Sequence, residues 1–290
     1  MKQPGELLED FLRQPAPDLP PEEVDRLTSE RTLDVCDREE TVTLLRDELL
    51  CCYLPLGRTL IAMQDERRGA RLLVGVAGCP GCGKSVFALL QAEATKTLLK
   101  FSGRQPSRAA VWPLDGVHHP NDYLESHFAP GTSVTLKKNK GRPETFDVEA
   151  AIRMCTQLRS LSDELFLPAY NRRIHDPVEG QIRVARHDLI VIVEGNFLFM
   201  SESGSWAELS RLFDIKIFID ADRNECREKL IERHIRGGRS REDALTHYDA
   251  VDLPNTLLVE RTKGAADIIV ERTAQKIRSV TCRLPEAGNQ

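Results

Sequence analysis

Eight residues constrain this chain more than any other stretch: Gly78-Cys79-Pro80-Gly81-Cys82-Gly83-Lys84-Ser85. They spell G-x-x-x-x-G-K-S, the pattern of a loop whose backbone N–H groups turn inward around phosphate oxygens. An apolar run before it, Leu72-Leu73-Val74, reads as a short buried strand. After it, Val86, Leu89, Leu90 and Leu98 recur at helical spacing and predict a helix from Ser85 to Lys100. Strand, loop and helix are the context that the pattern requires. Gly78, Gly81 and Gly83 allow the backbone to fold back, and the helix N-terminus favours an anion. Lys84 can reach the β- and γ-phosphates, and the Ser85 hydroxyl can ligate Mg²⁺. The predicted nucleotide site is therefore Gly78, Cys79, Pro80, Gly81, Cys82, Gly83, Lys84, Ser85 and Val86.

The rest of the composition narrows the setting. A chain of 290 residues allows one large domain or two small ones. A net charge of −5 gives no global basic footprint for nucleic acid. The longest apolar stretch, residues 189–193 and then 197–200, is broken by Glu194 and is too short to span a bilayer. Glu6, Glu9 and Asp10 make the N-terminus unlike a signal peptide. The eight cysteines show no paired metal spacing, so a reducing, cytoplasmic setting is expected. Cys79-Pro80-Gly81-Cys82 is nonetheless a CxxC at a helix N-terminus, where a thiolate would be stabilised. A thioredoxin-like pair has no use for the overlapping Gly83-Lys84-Ser85, so redox catalysis is the lesser reading. Oxidation that blocks nucleotide binding is kept as a side expectation.

Along the chain, residues 1–35 are rich in proline and acid and read as a loosely structured extension, with a short helix at Leu7 to Leu12. Asp37 followed by Glu40 resembles a capping box and predicts a helix carrying Val42, Leu45 and Leu49. Pro55 interrupts it, and a second helix is expected from Leu56 to Asp65. Further strands are predicted at Ala109 to Leu114, Leu189 to Val193, Ile215 to Ile219 and Ile268 to Val270. Helices are predicted from Asp147, from Ala221 to Arg236, from Arg239 to Ala250, and after the last strand to about Arg278. Residues 116–146 look like an active-site loop, and residues 163–187 show no clear period. The alternation implies an α/β fold: a doubly wound, parallel, five-stranded sheet with helices on both faces. Gly78, Asp115, Glu194 and Asp220 all fall at strand ends, the edge where such sheets bind ligands.

Phosphoryl transfer needs clamped phosphates, a held metal, an oriented acceptor hydroxyl and cations over the transferring group. Asp115 can accept the proton of an acceptor hydroxyl, and Glu194 can hold a Mg²⁺ water. Each acid alone is as readily a helix cap. Arg233, Arg236 and Arg239, around Gly237-Gly238, can form a mobile basic lid, although singly such arginines are usually a solvated face.

At these residues the chain resembles the small-molecule kinases of the uridine kinase, phosphoribulokinase and bacterial pantothenate kinase group. The likeness runs from about Leu54 to Arg278. It rests on Asp115-Gly116-Val117-His118-His119-Pro120-Asn121 and on Lys140-Gly141-Arg142-Pro143-Glu144-Thr145-Phe146-Asp147. Val193-Glu194-Gly195-Asn196 and Asp252-Leu253-Pro254-Asn255 are most similar to its uncharacterised bacterial branch of nucleoside- or sugar-kinase-like proteins. The resemblance implies a P-loop NTPase-type kinase domain over 36–282, with a helical lid and a flexible tail at 283–290. It implies Asp115 as catalytic base, Lys84 and Ser85 on ATP·Mg²⁺ with Glu194 as the second metal residue, and the Arg233–Arg239 region as lid. Arg236 is then the catalytic arginine, with Arg233 and Arg239 on the nucleotide. Lys140 and Arg142 face the acceptor, joined by His118, Tyr170, Arg172 and Arg173. Arg172 stands where pantothenate kinases are expected to have a histidine, and Val117 replaces the usual aromatic, which leaves the acceptor open. Phosphoribulokinases also carry a phosphate-loop cysteine used in redox control.

Switches and motors fit less well. Asn139-Lys140-Gly141-Arg142 lacks the final Asp of a guanine motif, and no LSGGQ-like signature is present. The expected activity is ATP-dependent phosphorylation of a small-molecule hydroxyl. A nucleotide-binding regulatory or redox-sensing P-loop ATPase is the alternative. The expected partners are a small-molecule acceptor, no nucleic acid and no membrane, with a homodimer left open.

Overall fold

The structure is a computed structural model that describes residues 19–35, 39–67, 69–103, 109–160, 164–202 and 204–283. In chain order, helix α1 (Pro21–Thr28) leads into a small antiparallel hairpin, β1 (Arg31–Asp34) and β2 (Glu39–Val42). A helical turn at Arg46–Glu48 and a π turn at Leu49–Tyr53 then run into α2 (Leu54–Glu66). Strand β3 (Leu72–Gly78) and helix α3 (Lys84–Phe101) flank the phosphate loop. Next come β4 (Ala109–Pro113), α4 (Asn121–Ser126) and α5 (Val148–Arg159). A second hairpin, β5 (Leu165–Asn171) and β6 (Asp176–Val184), precedes β7 (Ile190–Glu194), α6 (Gly204–Arg211) and β8 (Ile215–Ala221). Helices α7 (Arg223–Arg236), α8 (Arg241–His247) and α9 (Leu253–Arg261) follow, and β9 (Ile268–Arg272) and β10 (Ile277–Cys282) close the described chain.

The main sheet has the order β10-β9-β8-β3-β7-β4 among the described residues. Strands β4, β7, β3, β8 and β9 are parallel, and β10 runs antiparallel to β9. The chain thus places β3 centrally and crosses to either side of it, which opens a crevice at the carboxyl edge. Alternate residues of β3 point to opposite faces. Val74 and Val76 enter a core shared with α1, α2 and α3, while Leu73 and Ala77 enter another shared with α5, α6 and α9. Two-sided burial explains why these strands read as continuous apolar runs.

Four expectations need correction. The predicted parallel five-stranded sheet gains a sixth, antiparallel strand: residues 277–282, not a helix, follow β9. Ala274-Gln275-Lys276 favour helix locally, but Thr273 N–H donates to Lys276 O at 2.8 Å and turns the chain back. Asp37 lies outside the described residues, but the helix expected to follow it is strand at residues 39–42, and the helical region starts at Arg46. Pro55 does not split that helix. It sits in the first turn of α2, just beyond the π turn, where a missing N–H costs least. Residues 21–28 are not loose: Val24 and Leu27 are buried in the core of α2 and α3. The expected helix at Leu7 to Leu12 and the tail beyond residue 283 lie outside the described residues.

The β5–β6 hairpin was invisible as a period. Its register shifts between Leu167 and Ala169, at Pro168, so inward and outward positions do not alternate through the strand. Pro113, which argues against a central strand, is tolerated because β4 is the sheet edge.

Candidate active site

The phosphate loop is fixed where β3 meets α3. Gly83 caps α3 at φ 87°, a conformation that β-carbon-bearing residues rarely adopt. Lys84 and Ser85 consequently start the helix with their side chains in the crevice. Ser85 Oγ donates to Glu194 Oε1 at 2.9 Å, joining the loop to the end of the neighbouring strand β7. Glu194 is only 4% exposed. Burial pushes its carboxyl up and the charge of Asp115 adds to that, against the pull of Lys84 and the Ser85 hydrogen bond. A buried carboxylate beside a hydroxyl is an oxygen-donor set that suits Mg²⁺.

Asp115 sits in a 3₁₀ turn, Leu114–Val117, just beyond β4. Arg172 Nη2 donates to Asp115 Oδ2 at 3.1 Å. Burial pushes the Asp115 carboxyl up, but Arg172, His118, Lys84 and Arg233 together outweigh it and hold the group below the usual carboxylate range. His118 packs against Phe146 and Tyr170, with ring centroids 3.8 and 5.3 Å away. Its Nδ1 lies 2.8 Å from Asp115 O. Burial lowers its affinity for a proton, so it is set to be neutral near pH 7.

The β5–β6 hairpin closes over this turn. Pro168 O accepts a hydrogen bond from Trp112 Nε1 at 3.0 Å. That anchor seats Tyr170 and Arg172 over the end of β4. Against the same hairpin, 5.0 Å over the Tyr170 ring, Lys140 Nζ donates to Asn121 Oδ1 at 2.7 Å and to His175 O at 2.6 Å, and lies 3.8 Å from Asp176. Burial brings the Lys140 ammonium down to about 8, against the Asp176 charge. Lys140 therefore lines the cavity as a brace between the acceptor loop and the hairpin turn.

The resulting cavity has a volume of about 530 Å³. Of the residues singled out in the sequence, it brings together Pro80, Lys84, Ser85, Asp115, His118, Lys140, Tyr170, Arg172, Glu194, Arg233 and Arg239. It leaves out Arg142, Arg173 and Arg236. Arg142 turns toward Glu144, 3.9 Å away, and Arg173 is exposed at the hairpin turn. On α7 the face toward the cavity holds Arg233, His234 and Gly237, and Arg236 falls off it into solvent. Asp220 reaches the same sheet edge but pairs with Lys263 outside the cavity.

The CxxC reading is also corrected. Cys82 lies in the core under α2 and α3, and Cys79 in the core on the opposite face of the sheet. Burial pushes both thiols up, so neither is poised as a thiolate. Gly78, Gly81 and Val86 supply the frame of the loop rather than the cavity wall.

Several wall residues carried no assignment: Lys137, Lys138, Asn196, His234, His247, Asp252 and Asn255. Asp252-Leu253-Pro254-Asn255 was the available signal. Asp252 Oδ2 lies 2.8 Å from His234 Nε2, and Asn255 Nδ2 donates to Gly141 O at 3.0 Å. The motif thus ties the lid helix to the acceptor loop. Among the described residues no helix is long and apolar enough to cross a membrane.

Comparison with known proteins agrees with this geometry. Residues 73–278 match the family described as Phosphoribulokinase / Uridine kinase family. The chain is 34% identical over 233 residues to the uncharacterized protein YggC of Escherichia coli (strain K12), covering 79% of this chain and 90% of that one. It is 32% identical over 254 residues to a pantothenate kinase of Clavibacter sepedonicus, covering 84% and 76%. A solved structure described as "putative fructose transport system kinase" from Silicibacter sp. TM1040 superposes with a TM-score of 0.60 at 27% identity, over 71% of this chain and 92% of that one.

Proposed function

The chain belongs to the phosphoribulokinase / uridine kinase family, and on that premise we propose that it phosphorylates a hydroxyl of a small, hydrophilic acceptor bearing an anionic group. It is a P-loop kinase, a phosphotransferase with an alcohol acceptor, and such kinases use ATP. The observation that carries an anionic acceptor is the charge of the cavity wall. Lys84, Lys137, Lys138, Lys140, Arg172, Arg233 and Arg239 line it against only Asp115, Glu194 and Asp252. This cationic lining belongs to a chain whose net charge is −5. Phosphates of the nucleotide use part of that excess. Lys138 on the acceptor loop favours a carboxylate or phosphate on the acceptor as well, beside Lys137, which lies 3.3 Å from Glu125.

In this reading Lys84 and the inward N–H groups of the phosphate loop hold the nucleotide phosphates. Ser85 and Glu194 would hold Mg²⁺, which would neutralise phosphate charge when bound. Asp115, kept ionised by Arg172 together with the other cations around it, accepts a hydrogen bond from the acceptor hydroxyl and takes its proton as transfer proceeds. Arg233 and Arg239 bring positive charge from the lid to the transferring group. Neutral His118 supports the Asp115 turn and walls the acceptor. Burial of Cys79 and Cys82 on opposite faces removes the main support for the redox-sensing alternative.

A coupled assay of ATP consumption tests this against two sets of acceptors. One is anionic: glycerate, pantothenate and sugar phosphates. The other is neutral: nucleosides, hexoses and polyols. The reading expects the highest kcat/KM in the anionic set. A neutral acceptor used more efficiently than every anionic one overturns it.

A further inference from the structure

Three metal-ligating side chains converge where the lid meets the cavity, and the phosphoryl-transfer roles above use none of them. His234 comes from α7, His247 ends α8, and Asp252 ends the π turn Tyr248–Asp252 that follows. One ligand atom of each lies within 4.8 Å of the others. All three line the cavity. The two imidazoles meet edge to face with centroids 4.7 Å apart, and His234 Nε2 is already 2.8 Å from Asp252 Oδ2.

The π turn is what makes this possible. On an ordinary α-helix, residues five apart differ by about 140° in direction and point to different sides. The wider turn is closed by Leu253 N–H donating to Tyr248 O. It swings Asp252 round to the side of His247. Such single π turns cost hydrogen-bond geometry and recur at functional sites.

We propose that His234, His247 and Asp252 bind one divalent transition-metal ion of the zinc class, with the remaining coordination position open to the cavity. Two imidazoles and one carboxylate form a set of the kind that zinc takes at open sites. A tetrahedral ion with bonds of roughly 2.0–2.1 Å spaces its donors about 3.3 Å apart, so closure needs only small side-chain adjustments. Asp252 is the single carboxylate, and Arg233 and Arg239 share the wall. A hard ion that depends on several anionic oxygens is therefore disfavoured, and nitrogen donors select the transition series. The open position takes water or an oxygen of a bound ligand. The inference stands on the donor set alone and does not depend on the acceptor's identity.

The test is a titration of tag-free, nucleotide-free full chain with Co²⁺, followed by visible absorption. One equivalent is expected to give d–d bands of four- or five-coordinate Co²⁺ in nitrogen and oxygen ligands, and Zn²⁺ is expected to erase them. His247→Ala, at a half-buried position, is expected to lose the bands while keeping its circular dichroism and melting transition. Should that variant misfold, His247→Gln replaces it under the same criterion. The proposal is overturned if wild type shows only the spectrum of aqueous Co²⁺. It is equally overturned by intense thiolate charge-transfer bands, which would put the ion on cysteine, or by bands unchanged in the folded His247 variant.

Discussion

Arg172 Nη2 lies 3.1 Å from Asp115 Oδ2, across 57 positions of sequence. Burial pushes this carboxyl up, and Arg172 is the largest of the charges that, with His118, Lys84 and Arg233, together hold it below the usual carboxylate range. Asp115→Asn keeps the shape and removes the charge. It is expected to cost about 10²–10⁴-fold in kcat, the range of general-base work, with ATP affinity little changed. Arg172→Gln is expected to raise the apparent pKa that governs kcat/KM on its acid limb, because the carboxyl loses its largest opposing charge. A pH–rate profile whose acid limb is unmoved in that variant would show that Arg172 does not act through Asp115.

Lys84 forms no ion pair among the described residues, although it faces the cavity. Its ammonium is thus available to a phosphate. Lys84→Ala is expected to lower turnover by about 10²–10³-fold, the usual loss for one preorganised charge donor, and to leave the melting temperature near wild type. Turnover at the wild-type rate would remove the nucleotide assignment.

Gly116 lies under the backbone of the hairpin. A β-carbon there would stand 2.3 Å from Pro168 O and 2.7 Å from Pro168 C. Backbone cannot move aside as a flexible side chain can. Gly116→Ala is expected to destabilise by about 1–3 kcal/mol, the cost of overpacking, and to lift the hairpin that carries Tyr170 and Arg172. A lowered urea midpoint with a raised acceptor KM is the expected pair of readings.

Lys140 gives a pH prediction with a definite sign. Folded, its ammonium titrates at about 8, pulled down by burial. Unfolded, it titrates near 10.4. Between these values the unfolded chain holds more protons, so the Lys140 contribution to stability rises with pH across that window and is constant below about 8. The stability difference between wild type and Lys140→Gln should therefore shift in favour of wild type from pH 8 to 10. Over the same window loss of charge weakens the pairing with Asp176, and the acceptor KM of wild type should rise. A flat stability difference across the window would contradict the placement of Lys140.

The lid arginines separate by face. Arg233 and Arg239 line the cavity and Arg236 points to solvent. Arg233→Ala and Arg239→Ala are expected to lower kcat by at least about 10-fold, against less than about 2-fold for Arg236→Ala. The reverse order would mean that the working lid turns α7 on its axis.

The sequence by itself determined the strand, loop and helix around Lys84, and the carboxylates at the ends of β4 and β7. These features are local. A strand buried on both faces reads as an apolar run, and the acid follows where the chain leaves the sheet. It also placed Gly78, Asp115, Glu194 and Asp220 along one edge, because parallel strands bring their carboxyl ends together. Tertiary structure alone decided the rest. The shift at Pro168 destroys the period of β5, so neither the hairpin nor the seat of Arg172 could be read from spacing. Which lid arginine faces the cavity depends on how α7 is rotated about its axis, and that is set by Leu230 and Ile231 packing against Ala244 and Tyr248. Cys79 and Cys82 look like a pair in sequence, yet the turn of the phosphate loop sends them into different cores. Spacing along the chain reports which residues lie on one element. Contact between residues far apart in sequence is fixed only when the elements pack, because burial is then shared among surfaces that no single segment contains.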